Sequence, residues 1–450
     1  MNIENSNYLS NNIIQNSTNT IVTNHFIGEI NNPQIQNNFN NNNNNVENYN
    51  NNSNINNDNN LMLYNNENIN YYSNNNYYNN QFQNKGYEIN DNNDNKFNEN
   101  LNIDELKKNQ LPNNDDEMIK TCLENFGETF YLNAILQNLL NIDDFKNFFL
   151  GDNIIKYIKQ NQKEKSLSYV TYRLFHHVYI KRDKKYSVHS FIKALADINL
   201  YYASKKTRNV NECLIFILKR LHTELNEIKD KDENKNYNKL DRKDVINYEI
   251  VNFKNTNDSI ISNIFTWFSI EECKCTNCKY ISFEFKNFYT FQLNILEFLQ
   301  KLNRNNFTIY DYLNFENKKK QKKYCNNCKS EEEIEIFSSI YSSPKISIFL
   351  FDQGNFDEKL ININFYLEEK INLNKFLENE KSPKIYELIG IISINKEDKK
   401  YHSFCKSFEN QKWYFFKEEN VEQIKSDRVI FEHNSGQFIP NILFYKSIEE

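Results

Sequence analysis

The order of patterns along the chain predicts an α+β domain: helical segments come first and strands afterwards, rather than alternating βαβ units. Three observations carry this. Apolar residues recur at helical spacing from about Asp116 to about Leu225, and they alternate from about Tyr248 onward. Two Cys-x-x-Cys pairs then sit inside the strand-rich half. Ahead of the domain, residues 1–116 are Asn-rich, with runs such as NNFNNNNNN and YYSNNNYYNN and no sustained period, which predicts a disordered N-terminal region.

With 450 residues, the chain is long enough for that region plus one large domain, 117–450. Its net charge of −6 gives no electrostatic case for nucleic acid or an anionic membrane as partner. The start, MNIENSNYLS, lacks the basic-then-apolar layout of a secretion signal. No apolar run approaches the roughly 18 residues that span a bilayer. Eight cysteines that include Cys-x-x-Cys pairs, with no secretion signal, point to metal rather than disulfides and to the cytoplasm or nucleus.

The opening element is Cys122 to Leu140, CLENFGETFYLNAILQNLL. Gly127 supplies a turn and Thr129 is the expected N-cap. Leu132, Ile135, Leu136 and Leu139 then form one apolar helical face. The first position inside such a helix faces free N–H groups and the positive end of the dipole, where a cysteine thiol would be acidified. This chain has Phe130 there.

Helical patterns continue through IDDFKNFFL, LSYVTYRLFHHVYI and SVHSFIKALADI. The strongest is NECLIFILKRLHTELNEI, where Leu214, Ile217, Leu218, Leu221 and Leu225 make a continuous stripe. Lys229 to Lys243 is a charged run without apolar period, read as a solvated loop. Beyond it, Ile281, Phe283 and Phe285 alternate, as do Phe291, Leu293 and Ile295. Later strands are expected at 346–351, 388–394, 401–407, 413–416 and 441–447.

Cys275 with Cys278, and Cys325 with Cys328, form two knuckles. Each can wrap one side of a tetrahedral ion, and four thiolates complete a closed structural zinc site. A long spacer containing strands fits a ribbon in which two hairpins share one Zn2+. Cys273 lies close by, but Cys275 gives the two-residue spacing.

The opening stretch resembles the Cys box of the ubiquitin-specific proteases, G-L-x-N-x-G-N-T-C-Y-x-N-S-x-L-Q. Leu123, Asn125, Gly127, Thr129, Tyr131, Asn133, Leu136 and Gln137 stand where the family has the same residues. The helix of 210–225 is similar to the family's second box through Glu212, Leu214, Leu218, Leu221, His222 and Glu224, although Thr207, Arg208 and Asn209 replace its Gln-Gln-Asp. His222 is read as a packing residue of that helix. The terminal frame matches through Tyr386, Leu388, Tyr401, Phe404, Lys406, Lys412, Trp413, Tyr414, Phe416, Val421, Leu443, Phe444 and Tyr445.

This resemblance implies a papain-like fold with a helical thumb (about 117–226), a charged loop (227–246), zinc-ribbon fingers (about 262–342) and a β-sheet palm (343–450). It places the family's catalytic cysteine on Phe130 and its oxyanion asparagine on Asn125. In the ungapped register the catalytic histidine falls on Lys400, the preceding glycine on Lys399, and the orienting aspartate on Lys417, with Glu418 beside it. A shifted register would make His402 the base, on the same strand face as residue 400. Cys122, Cys213 and Cys405 are the other thiols weighed as nucleophiles, and none has the helix-start setting that activates one.

The implied function is a pseudo-deubiquitinase that binds ubiquitin, a ubiquitin-like protein or another protein partner. Two alternatives stand beside it. One is an active thiol-dependent ubiquitin hydrolase, and the other is a zinc-stabilised scaffold with no ubiquitin contact.

Overall fold

A computed structural model describes residues 121–448, apart from 153, 158–165, 205, 229–240, 303–305, 316–317, 353–363 and 419. The Asn-rich region 1–116 and most of the charged run lie outside the described residues.

The described residues open with strand β1 (Cys122–Glu124) and helices α1 (Phe130–Leu140), α2 (Asp143–Leu150) and α3 (Leu167–His176). A π-turn, His177–Lys181, extends α3; β2 (Lys185–Ser187), α4 (His189–Ile198) and α5 (Val210–Leu225) follow. Strand β1 pairs in parallel with β2, which anchors the loop ahead of α1. A helix not expected from the sequence, α6 (Arg242–Thr256), takes up the end of the charged run, so the loop stops short of 246. Its buried residues are Val245, Ile246, Glu249 and Phe253, too few apolar side chains to stand out among charged neighbours. Asp241 caps it by accepting from the Asp244 N–H.

After α7 (Ile260–Phe265) the strands begin: β3 (Trp267–Cys275), β4 (Ile281–Phe288) and β5 (Phe291–Asn294). Then come α8 (Ile295–Leu302), β6 (Asn306–Phe307), α9 (Ile309–Phe315), β7 (Lys318–Cys325) and β8 (Ser330–Ser342). The rest is β9 (Ile346–Asp352), β10 (Asn364–Phe365), β11 (Lys370–Asn372), β12 (Ile385–Asn395), β13 (Tyr401–Lys406), β14 (Trp413–Lys417), β15 (Asn420–Ile424), α10 (Ser426–Asn434) and β16 (Phe438–Ser447).

Two sheets organise these strands. The finger sheet runs β4-β3-β8-β7 and is antiparallel throughout. The palm sheet runs β15-β14-β13-β12-β16-β9-β5, with β11 added against β12. The segment expected to be continuous finger leaves that sheet between its two hairpins: β5 pairs with β9 in the palm. Phe298, Tyr312 and Leu313 of the intervening helices pack in the palm core.

Apolar residues cover both faces of the palm sheet. On β12, Ile392 and Ile394 join the helical thumb, whereas Leu388 and Ile391 join the opposite core. On β9, Ile346, Ile348 and Leu350 face the thumb, and Phe349 and Phe351 face away. That two-sided burial is why these strands read as unbroken apolar runs.

Helix α1 lies directly on the palm. Asn138 Nδ2 donates to Ala134 O at 3.0 Å within the helix and to Ser403 Oγ at 2.9 Å across the interface. Gly390 leaves room for this: a Cβ there would stand 2.1 Å from Asn138 Oδ1. Gly390→Ala therefore forces a bonded, buried amide to move, and its expected cost is about 3 kcal/mol. A drop in the urea midpoint with an unchanged slope checks this. Farther along, Lys146 of α2 is nearly buried over the rings of Tyr179 and Phe408 and bonds Glu409 at 2.9 Å, tying thumb to palm.

Candidate functional site

The Cys-box frame is built from groups that hold backbone. Gly127 takes φ 74, in the left-handed region. Asn133 Nδ2 donates to Leu123 O at 3.1 Å, to Glu124 O at 3.3 Å and to Asn125 Oδ1 at 2.9 Å. Gln137 Nε2 reaches Thr121 O at 2.9 Å. Thr129 stands at the N-cap position, but its hydroxyl does not cap the helix as expected. It accepts from the Phe126 N–H at 2.9 Å and closes the turn instead. These bonds set the entry into α1 and are independent of the side chain at position 130.

Phe130 is the first residue of α1 and is half-buried. The Lys400 ammonium lies 4.6 Å from the centre of its ring and bonds Glu418 Oε1 at 2.7 Å. Phe130, Lys400 and Glu418 thus form a chain of ring, cation and carboxylate. Glu418 raises the Lys400 pKa above the ordinary lysine value, and Lys400 in turn lowers that of Glu418. Both charges are exposed, so the pair contributes order more than stability.

The acidic partner is Glu418 and not the residue at 417. Lys417 is exposed and acts as a neighbouring positive charge on Glu418 and His402. Glu418 has φ 52, a left-handed turn that directs the chain out of β14.

His402 does not share a face with Lys400, contrary to the expectation from strand alternation. Lys399 takes φ 55 and β13 begins only at Tyr401, so Lys400 lies outside the strand and its parity does not apply. His402 is buried against Phe415 and Phe438, on the palm core away from α1. Its Nε2 bonds Asp398 Oδ2 at 2.9 Å, and burial pushes its pKa below the ordinary histidine value.

The remaining thiols sit elsewhere. Cys213 is fully buried on α5, and burial raises its pKa far above that of a free thiol. Cys405 is fully buried beside Ser403 Oγ, its pKa pushed up to about 12. Cys122 is on β1 and also buried. His222 bonds Ser259 Oγ at 2.8 Å and packs on Tyr289, a role in joining α5 to the chain entering the fingers.

At the finger tip, Cys275, Cys278, Cys325 and Cys328 have sulfurs within 4.8 Å of one another. Cys275 and Cys328 are 3.8 Å apart, and Cys278 and Cys325 are 3.6 Å apart. Four sulfurs about 2.3 Å from a tetrahedral ion stand about 3.8 Å apart, so the quartet could hold a metal. The two knuckles are built alike. Lys279 N–H donates to Cys275 O and Lys329 N–H to Cys325 O, at 3.0 and 2.8 Å. Lys279 and Lys329 take φ 62 and 60. Cys273 is not part of the quartet. It faces Glu284, which with Glu271 is ion-paired to Lys286 and Lys323.

A helical thumb on a two-sided palm, with a cysteine quartet at the end of a separate sheet, is the architecture of a papain-like ubiquitin-specific protease. Residues 121–445 match the family model described as ubiquitin carboxyl-terminal hydrolase, and the chain belongs to that family. Ubiquitin carboxyl-terminal hydrolase 4 of Saccharomyces cerevisiae is 28% identical over 205 residues, 42% of this chain and 22% of the yeast protein. The protein of that name in Vanderwaltozyma polyspora is 27% identical over 185 residues, 37% of this chain and 21% of its own length. The matched part is thus about a fifth of these relatives. Among solved structures, a SAGA DUB module of Ubp8, Sgf11, Sus1 and Sgf73 bound to monoubiquitin aligns with a TM-score of 0.54 and 18% identity, covering 77% of this chain and 73% of that one. The same module bound to ubiquitin aldehyde gives the same values. At that identity the likeness shows the shared fold. No helix among the described residues is long and apolar enough to cross a membrane.

Proposed function

We propose that this chain is a pseudo-deubiquitinase: a ubiquitin-specific-protease fold that works by binding ubiquitin, a ubiquitin-like protein or another protein partner. The contact of Phe130 with Lys400, with Glu418 behind it, carries the reading. A phenyl ring has no lone pair to attack a carbonyl. An ammonium already bonded to a carboxylate has no base to offer. Removing the nucleophile of a comparable triad costs roughly 10⁶ in turnover, even with the oxyanion donors kept.

The same groups crowd the place where a substrate's C-terminal tail would pass, so the partner is held by its globular body. The neighbouring Ubp8 module is bound to ubiquitin, which makes ubiquitin the first candidate. In this reading Cys275, Cys278, Cys325 and Cys328 hold a structural Zn2+, and the chain works in the cytoplasm or nucleus. Thumb, charged loop, fingers and palm follow the boundaries given above, except that the loop ends at Asp241, which caps α6, and 291–315 is reassigned to the palm.

The active alternative draws on membership of a hydrolase family. Incubating the full chain with a ubiquitin C-terminal fluorogenic amide separates the two, and release at the rate of buffer alone is expected. Turnover that a thiol reagent blocks would overturn the proposal. Calorimetric titration with mono-ubiquitin then tests the scaffold alternative, and saturable micromolar binding rules it out.

A further inference from the structure

The outer edge of the fingers carries a feature that the proposed function does not use. Strand β7 is the last in the order β4-β3-β8-β7, and among the described residues no strand pairs with its far side. It presents eight residues in continuous register with β8, with no bulge and no proline. Natural sheet edges are usually closed by such devices, or by charge alone. Here only charge is present. Lys318, Lys319, Lys320, Lys322 and Lys323 supply five cations to a strand with no acid.

Alternation places Lys318, Lys320, Lys322 and Tyr324 on one face and Lys319, Gln321 and Lys323 on the other. The inner edge shows what this strand accepts. Its partner β8 begins Ser-Glu-Glu-Glu-Ile-Glu-Ile, and the register sets Lys320 opposite Glu335, Lys322 opposite Glu333 and Lys323 opposite Glu332. Lys320 lies within 3.4 Å of both Glu333 and Glu335. Lys319 and Lys323 reach across the sheet to Glu271 and Glu284. Lys318 lies over the Phe337 ring, and neither it nor Lys322 has a carboxylate within ion-pair distance among the described residues. Tyr324 is 61% exposed at the metal end of the same face.

We propose that the free edge of β7 docks an acidic, extended segment of a partner protein as a fifth strand of the finger sheet. Backbone pairing supplies the geometry, as in other strand additions. The unmatched lysines select glutamate or aspartate at alternate positions, and Tyr324 favours a β-branched or aromatic neighbour across from it. The lysines also repel an identical edge, so two copies of this chain do not pair β7 against β7. Cys325 ends the strand in the cysteine quartet, so a metal bound there would pin that end of the edge before a partner arrives.

A fluorescein-labelled peptide with this chain's own Ser330–Phe337 sequence, titrated into the zinc-loaded full chain, tests the proposal. Saturable binding is expected, weakening about ten-fold or more from low to moderate salt. The double variant Lys318→Gln, Lys322→Gln should weaken it at least about ten-fold, with the fold and metal content retained, because both side chains are exposed and neither glutamine sets a like charge opposite Glu333. A peptide N-methylated at alternate amides keeps the charge and loses the pairing, so it should not bind. Equal binding by the methylated peptide, or by the double variant, would overturn the proposal. So would loss of hydrogen-exchange protection in β8, which would mean that the peptide had displaced the native strand.

Discussion

Stripping the metal from the cysteine quartet is expected to unfold the fingers while the palm and thumb stay folded. The finger tip has a small core of its own: Cys273, Cys275, Cys325, Ile334 and Ile336 are its buried members. Two of those five, Cys275 and Cys325, belong to the quartet proposed to hold the metal. Much of the remaining finger surface is charged, with lysines and glutamates facing each other across β7 and β8. Such a tip has little apolar burial to oppose its chain entropy. A tetrathiolate zinc site contributes on the order of 10 kcal/mol to folding, so its loss outweighs anything the local packing supplies. The palm and thumb have large separate clusters and no ligand in them. A strong chelator, or Cys325→Ser, should therefore release one metal equivalent per chain. Amides of β3, β4, β7 and β8 should lose hydrogen-exchange protection while those of β12 and β16 keep it. Full protection of the finger amides after chelation would show that the quartet is only a cluster of reduced thiols.

How far the site could be read in advance depended on what each residue does. Asn133, Gln137, Gly127 and Thr129 shape backbone by local bonds, so their spacing survives in the sequence whatever stands at position 130. The quartet was legible for the same reason, since a knuckle is a local turn. What escaped were features set by chain direction. Left-handed residues at 399 and 418 decide that Lys400 meets Glu418, and that His402 turns to the other core. Lysine and glutamate give no sign of a positive φ, where glycine would have. The excursion of 291–315 into the palm was equally hidden, because Leu293 alternates in the same way whichever sheet it joins. Helix α6 gives little sequence signal because its short apolar stripe sits in a charged run.

Acid should destabilise the folded domain between about pH 6.5 and pH 4, through histidines that are buried neutral. His433 is the clearest. Its Nδ1 donates to Val429 O at 2.7 Å, which leaves Nε2 to accept from Ser393 Oγ at 2.7 Å. Phe404 and Phe438 enclose the ring. A second proton would break the bond from Ser393 and charge a closed apolar site, so burial pushes the His433 pKa down to about 4. His176 is also buried, and neither of its ring nitrogens has a partner among the described residues; its pKa is likewise pushed down to about 4. The sign follows from proton uptake. The unfolded chain protonates these rings near pH 6.5, and the folded chain holds out until about pH 4. Stability is therefore full above pH 6.5, falls through that window, and loses nothing more to these groups below it. Each shift is worth about 3 kcal/mol, enough together to lower the melting temperature on the order of 10 °C across the window. His176→Leu removes the titration and two unpartnered nitrogens without breaking a bond. That variant should melt higher at pH 7 and lose less on acidification. His433→Gln keeps a bonding side chain that does not titrate and should flatten the same slope. If both variants track the parent from pH 7 to pH 4, these histidines do not carry the acid sensitivity.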